Sequence, residues 1–192
     1  MNDVNDANGA TEERRTLAHA LEPAASGRAK CRACGGKIAA GELRFGERLP
    51  NPFADEGGEM THWYHVPCAV FRRPEAFLEY IQSAEAPVTA DRERLVAAAE
   101  QGVAHRRVPR IAAAGRAPTG RATCRACKTL IEKDAWRIAL VFYQDGRFSP
   151  GGFVHATCAA TYFETPDIID RVKHFTPDMT AEDVASLAAL IK

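Results

Sequence analysis

Apolar and polar positions along the chain group into short strand-like stretches followed by helical ones, and the series runs twice. In the first half, Lys37 to Arg48, punctuated by Gly41 and Gly46, predicts a hairpin, and His62-Trp63-Tyr64-His65 predicts the strand after it. Between them Asn51 to Glu59 is a polar loop with Phe53 at its tip. Cys68-Ala-Val-Phe71 opens a helix, and Pro74 to Ile81 forms another. Thr89 to Glu100 is helical, with Thr89 as a fitting N-cap and Gly102 as a fitting stop. In the second half, Ala135 to Tyr143 is strand-like, Gln144-Asp-Gly-Arg147 is a turn, and Thr157 to Phe163 is a short helix. Thr180 to Ile191 then matches the helix that starts at Thr89. Residues 1–25, which begin Asn/Asp/Ala/Gly-rich, read as a disordered acidic N-terminal tail, with at most a short helix around Thr16 to Leu21. Residues 103–118, which carry Pro109, Gly115, Pro118 and several arginines, read as a linker. The expected units are therefore 26–102 and 119–192.

The repeat is sharpest at its cysteines. Gly27-Arg-Ala-Lys-Cys31-Arg-Ala-Cys34 returns 93 residues later as Gly120-Arg-Ala-Thr-Cys124-Arg-Ala-Cys127. His65-Val-Pro-Cys68 follows the first copy and His155-Ala-Thr-Cys158 the second. These motifs hold all 6 cysteines of the chain. Zinc takes four Cys or His ligands in a tetrahedron, and a closed structural site leaves no position for water. The expected cofactors are thus two structural Zn2+ ions, one on Cys31, Cys34, His65 and Cys68, the other on Cys124, Cys127, His155 and Cys158.

Other uses of the cysteines fit less well. Disulfides need an oxidising compartment, and the chain opens Met1-Asn-Asp-Val without a charged-then-apolar signal segment. A redox Cys-x-x-Cys needs no downstream His-x-x-Cys, let alone two. Pairing the two Cys-x-x-Cys turns into one zinc ribbon would strand both His-x-x-Cys pairs and close a far longer loop. Small units bury little apolar surface, so a metal staple suits them. The expected class is α+β: two small zinc-stapled domains, each a short antiparallel sheet with a Cys3His site and C-terminal helices.

The chain has 192 residues and a formal net charge of zero, unevenly spread. Arg106, Arg107, Arg110 and Arg116 fall in a stretch with no acid, and both zinc segments are net basic, whereas the two ends are acidic. Clustered positive charge is the footprint of phosphate binding. No stretch reaches the roughly 20 apolar residues of a membrane span. No nucleophile, acid/base pair or open metal position stands out, so neither an enzyme nor a small-molecule substrate is expected.

The doubled Gly-Arg-Ala-x-Cys-x-x-Cys, Ile38 and Ile131 seven residues after the first Cys, Arg44 and Arg137 six further on, and His62-Trp-Tyr-His65-x-x-Cys68 together resemble the poly(ADP-ribose) polymerase-type (PARP-type) zinc finger. The resemblance implies tandem modules that recognise DNA strand breaks (ends, nicks, gaps) by structure rather than by sequence, in DNA repair or damage signalling. It implies phosphate or minor-groove contacts from Arg28 and Arg44 in the first finger and Arg121 and Arg137 in the second. Phe53 and Met60 would cap the exposed base pair in the first finger, and Phe148 stands in for the cap in the second. Trp63 and Phe153 read instead as packing around the zinc. The chain departs from the pattern at Asp55, Glu56 and Glu59, acids in the capping loop, and at Phe153-Val154, which replaces Trp-Tyr.

Two functions remain open on sequence. One is a stand-alone zinc protein binding broken DNA, with a repair enzyme as a further partner. The alternative is a zinc-stabilised protein–protein adaptor that does not bind DNA. The four arginines discriminate: free on one face they favour DNA, paired with carboxylates they favour the adaptor. The alanine- and arginine-rich composition suits a cytoplasmic, nucleoid-associated bacterial protein, or a nuclear one if the source is eukaryotic.

Overall fold

In the computed structural model of the chain, residues 19–51, 54, 58–83 and 91–192 are described. Strand β2 (Leu43–Pro50) lies between β1 (Ala20–Pro23) and β3 (Glu59–His65), all antiparallel. Side chains alternate between the faces of a strand. Phe45, Glu47, His62 and Tyr64 turn inward and are buried, while Arg44 and Trp63 share the outer face. Gly46 is not a turn but a mid-strand gap: a Cβ there would stand 2.6 Å from the Trp63 ring. The predicted Lys37–Arg48 hairpin is instead a bridge (Lys30 with Lys37), a turn, and then β2.

After His65 the chain turns into α1 (Val66–Arg72) and α2 (Pro74–Ile81), each with a proline in its first two positions, where the missing N–H costs nothing. Helix α3 (Arg92–Ala104) closes the unit. Its predicted cap, Thr89, lies outside the described residues. Phe45 and Phe77 meet edge to face at 5.7 Å in a core that also holds Ile38, Tyr64 and Ile81.

The second unit repeats the plan. Strand β7 (Trp136–Gln144) lies between β4 (Ile111–Arg116) and β8 (Arg147–His155), and the knuckle hangs on a two-stranded ribbon, β5 (Ala122–Thr123) and β6 (Leu130–Ile131). Asp145 and Gly146, with φ of 51° and 73°, make the tight β7–β8 turn that Asp-Gly announces. A 3-10 turn (Ala156–Cys158) leads into α4 (Ala159–Phe163), followed by α5 (Ile169–Phe175) and α6 (Ala181–Ala188). Thr180 and Asp183 form a reciprocal capping box at the start of α6.

Two predicted boundaries shift. Residues 20–23, assigned to the tail, pair with β2 as an edge strand. Residues 111–116, assigned to the linker, pair with β7, and Val108, Ile111 and Ala117 are fully buried in the second core. The 93-residue offset therefore extends upstream of the cysteines: Glu22 faces Arg44 in the first sheet, and Gly115 faces Arg137 in the second.

The units pack on each other. Phe148 of β8 and Phe175 of α5 lie against the first core. Arg171 of α5, 1% exposed, donates to the Phe71 and Ala98 carbonyls of the first unit, and Arg72 donates to the Pro109 carbonyl at 2.8 Å. Glu47 is also 1% exposed; it holds Arg73 at 2.6–3.0 Å and accepts from the Tyr64 hydroxyl at 3.1 Å. The Arg73 guanidinium in turn lies 3.9 Å from the Tyr143 ring of the second unit. No described helix is long and apolar enough to cross a membrane.

Candidate metal centres and nucleic-acid surface

Each knuckle is a tight turn whose backbone presents two sulfurs to one point. Cys31 N–H donates to the Gly36 carbonyl and Gly35 N–H to the Cys31 carbonyl, both at 2.8 Å. Cys124 N–H to Thr129 (2.8 Å) and Lys128 N–H to Cys124 (3.0 Å) repeat the pattern. The turn needs a left-handed residue, Gly35 at φ 74° in the first copy and Lys128 at φ 65° in the second. The other ligand pair straddles the end of a strand: His65 and His155 finish β3 and β8, and Cys68 and Cys158 lie in the helical turns that follow.

The donor atoms converge. In each set of four, the ligand atoms all lie within 4.8 Å of one another. His65 Nδ1 is 3.4 Å from Cys34 Sγ and 3.8 Å from Cys68 Sγ; His155 Nδ1 is 3.4 Å from Cys127 Sγ and 3.9 Å from Cys158 Sγ. Tetrahedral zinc, with Zn–S about 2.3 Å and Zn–N about 2.0–2.1 Å, has S···N edges of about 3.6 Å. The distances bracket that value. His65 Nε2 lies 3.1 Å from the Lys37 carbonyl and His155 Nε2 3.1 Å from the Leu130 carbonyl. An Nε2–H donated to either carbonyl leaves Nδ1 with its lone pair toward the sulfurs, the usual orienting device for a metal-bound histidine.

Protonation points the same way. A hydrogen bond with Cys68 draws the Cys31 thiol down to about 4 and pushes Cys68 up, while burial raises Cys34. Thiols this close oppose one another's ionisation, and three thiolates at one point need a dication to hold them. In the second cluster the Thr129 hydroxyl draws Cys127 down to about 6, and burial raises Cys158 to about 11. Both donor sets suit a structural zinc ion.

Zinc with three thiolates and one imidazole carries a net negative charge, and the protein answers it at the first site. His174 of α5 places Nε2 3.1 Å from Cys68 Sγ, and the buried Arg72 feels the thiolates of Cys68, Cys31 and Cys34. Burial lowers Arg72 to about 10, which leaves it cationic at neutral pH. The motif could not reveal His174, which lies 106 residues from Cys68. The two sites differ in burial at one ligand: Cys34 and Cys127 are both exposed, but Cys158 is half-buried where Cys68 is buried.

Residues 22–95 match the model of the poly(ADP-ribose) polymerase and DNA-ligase Zn-finger region. The first unit is a PARP-type zinc finger. Over 56 residues the chain is 38% identical to poly [ADP-ribose] polymerase 1 of Gallus gallus. That segment is 29% of this chain and 6% of the polymerase, so the likeness concerns the finger and not the whole enzyme. The second finger lies outside the matched span and repeats its ligand set and strand order.

The expected DNA contacts fall in different places. Arg28 and Arg121 are exposed just ahead of their knuckles. The Arg44 guanidinium lies 3.5 Å from the centre of the Trp63 ring, and that of Arg137 lies 3.7 Å from that of Phe153. The aromatics before the zinc histidines pack against the cores that hold the knuckle cysteines, as expected, and also carry these arginines on the outer face. Arg44 also pairs with Glu22 at 2.7 Å; Gly115 stands at that position in the second finger, and Arg137 has no carboxylate partner among the described residues.

Phe53 lies outside the described residues. Met60, opposite Leu49, shares the inner face with His62 and faces the Gly146 turn, so it stands on the other side of the sheet from Arg44. Phe148 is not a free capping aromatic. It is half-buried, 4.7 Å from the Tyr143 ring, because the β7–β8 hairpin leans on the first finger.

Proposed function

We propose that the chain is a non-enzymatic zinc protein that binds DNA at strand breaks by structure rather than sequence, in repair or damage signalling. The observation that carries this reading is the doubled outer face. In each PARP-type finger plan an arginine is laid over an aromatic two residues before the zinc histidine, with a second, exposed arginine ahead of the knuckle. Such arginines grip phosphates without reading bases. A break adds a flat apolar base face that an intact duplex lacks, and an aromatic stacked on it contributes about 1–3 kcal/mol whatever the base. Phe53 is the residue proposed for that contact.

The adaptor reading has one observation in its favour, the Arg44–Glu22 ion pair, which ties up one of the four arginines. Anisotropy titration of the zinc-loaded chain against a nicked DNA dumbbell, competed with the sealed dumbbell, separates the two. Break recognition predicts preference for the nicked form, lost in Phe53→Ala, and weaker binding to both forms in Arg28→Gln and Arg137→Gln. Absence of binding to either dumbbell leaves the adaptor.

A further inference from the structure

The otherwise faithful repeat breaks its symmetry at one point in the knuckle. The left-handed position after the second cysteine is Gly35 in the first finger and Lys128 in the second. A left-handed residue other than glycine costs of order 1 kcal/mol, and such strain persists where the surroundings hold it. The Lys128 ammonium folds back to the Arg125 carbonyl at 2.8 Å, at the mouth of a cleft of about 430 Å³.

Arg107, Arg110 and Arg125 line that cleft with Lys128, over a floor of Phe142 and Tyr162. The guanidinium carbons of Arg110 and Arg125 lie 5.0 and 5.4 Å from the Phe142 centroid, and that of Arg107 lies 5.1 Å from that of Tyr162. One acid, Glu164, stands 3.7 Å from Arg107. Four cations against one carboxylate repel each other unless an anion joins them. The first knuckle cannot form this cleft. Its corresponding arginine, Arg32, is turned 3.5 Å from buried His62 beside the β7–β8 turn, and it has Gly35 where the second has Lys128.

We propose that this cleft of the second finger is a separate seat for the phosphodiester backbone of the duplex flanking the break. It uses Arg107 and Arg110 from the segment between the fingers and Arg125 and Lys128 from the zinc knuckle. The cleft supplies affinity that ignores the lesion, while the outer faces and the capping loop supply the preference for it. The inference rests on the DNA reading above.

The test is the salt dependence of binding to nicked and sealed dumbbells by the zinc-loaded full chain, wild type against Lys128→Gly and Arg110→Gln/Arg125→Gln/Lys128→Gly. Each phosphate contact contributes a slope of about 0.9 in log K against log salt, or about fivefold in affinity at 0.15 M salt. Lys128→Gly, which relieves the left-handed strain, is expected to melt no lower than wild type yet bind about fivefold more weakly. The triple variant is expected to lose roughly 100-fold on both dumbbells, with a slope shallower by about 2.7 and an unchanged nicked-to-sealed ratio. Wild-type preference for the nick with unaltered slopes in the variants would overturn the cleft and leave break recognition standing. Failure of the wild type to bind either dumbbell would overturn both.

Discussion

Glu47→Gln is the substitution that most directly probes how the two fingers are joined. Glu47 is buried at 1% exposure, and its carboxylate takes three hydrogen bonds from Arg73 and one from Tyr64. Glutamine keeps the shape but removes the charge and turns an NH2 toward the guanidinium. Breaking one side of a buried pair costs about 3–5 kcal/mol, mostly because the remaining charge is stranded. Arg73 keeps 23% side-chain exposure, so the lower end, about 3 kcal/mol, is expected. For a chain of this size that corresponds to about 6–12 °C in Tm.

Because Arg73 also lies on Tyr143 of the second finger, the loss should reach both fingers. The chain's 2 tryptophans report them separately, Trp63 in the first and Trp136 in the second. Urea titrations at saturating zinc, on Trp63→Phe and Trp136→Phe backgrounds, should show both transitions moving together. Glu47→Gln/Arg73→Met, which removes the stranded charge as well, should recover most of the loss. A Glu47→Gln cost under about 1 kcal/mol, or strict additivity in the double variant, would refute the account.

Other consequences are simpler to check. Chelator challenge followed with a colorimetric zinc indicator should release zinc in two phases, the second site first because Cys158 is less buried than Cys68 and lacks a contact like that of His174, and His174→Ala should accelerate only the slower phase. Burial, and then Arg32, hold the His62 imidazole below the ordinary histidine range. The unfolded chain therefore takes up the proton first as pH falls below about 6.5, and stability, complete above that value, declines. His62→Leu should lose less stability than wild type between pH 7.5 and 5.5 in parallel denaturant titrations. Gly46→Ala pushes a methyl into the Trp63 ring and should cost about 1–3 kcal/mol by thermal melt. It should also weaken DNA binding through Arg44, which rests on that ring.

The zinc ligands were legible in the sequence because tetrahedral chemistry fixes residue type and spacing, and the spacing occurs twice. Strands β2, β3 and β7 could be found because they carry aromatic residues, joined in β3 and β7 by β-branched ones. The first strand of each sheet could not. Ala20-Leu-Glu-Pro23 and Ile111-Ala-Ala-Ala-Gly-Arg116 have weak strand character, and a better partner on β2 or β7 decides their conformation. The union of the fingers was hidden for another reason. It depends on Glu47, Arg72, Arg73 and Arg171, charged residues that a composition count places on the surface, and on partners up to 100 positions apart. The phosphate cleft left one trace, the change from Gly35 to Lys128 within a repeated motif.

The carbonyls that Arg171 caps belong to α1 and α3, so during synthesis the first finger waits for a residue made much later. All four of its zinc ligands and its last helix have been synthesised once residue 104 is made, yet Arg171 lies 67 residues further on. At about 5–20 residues per second this is a delay of roughly 3–13 s. Through that interval the Phe71 side of the first finger stands uncovered on the nascent chain, with all four zinc ligands made before the helix that covers it.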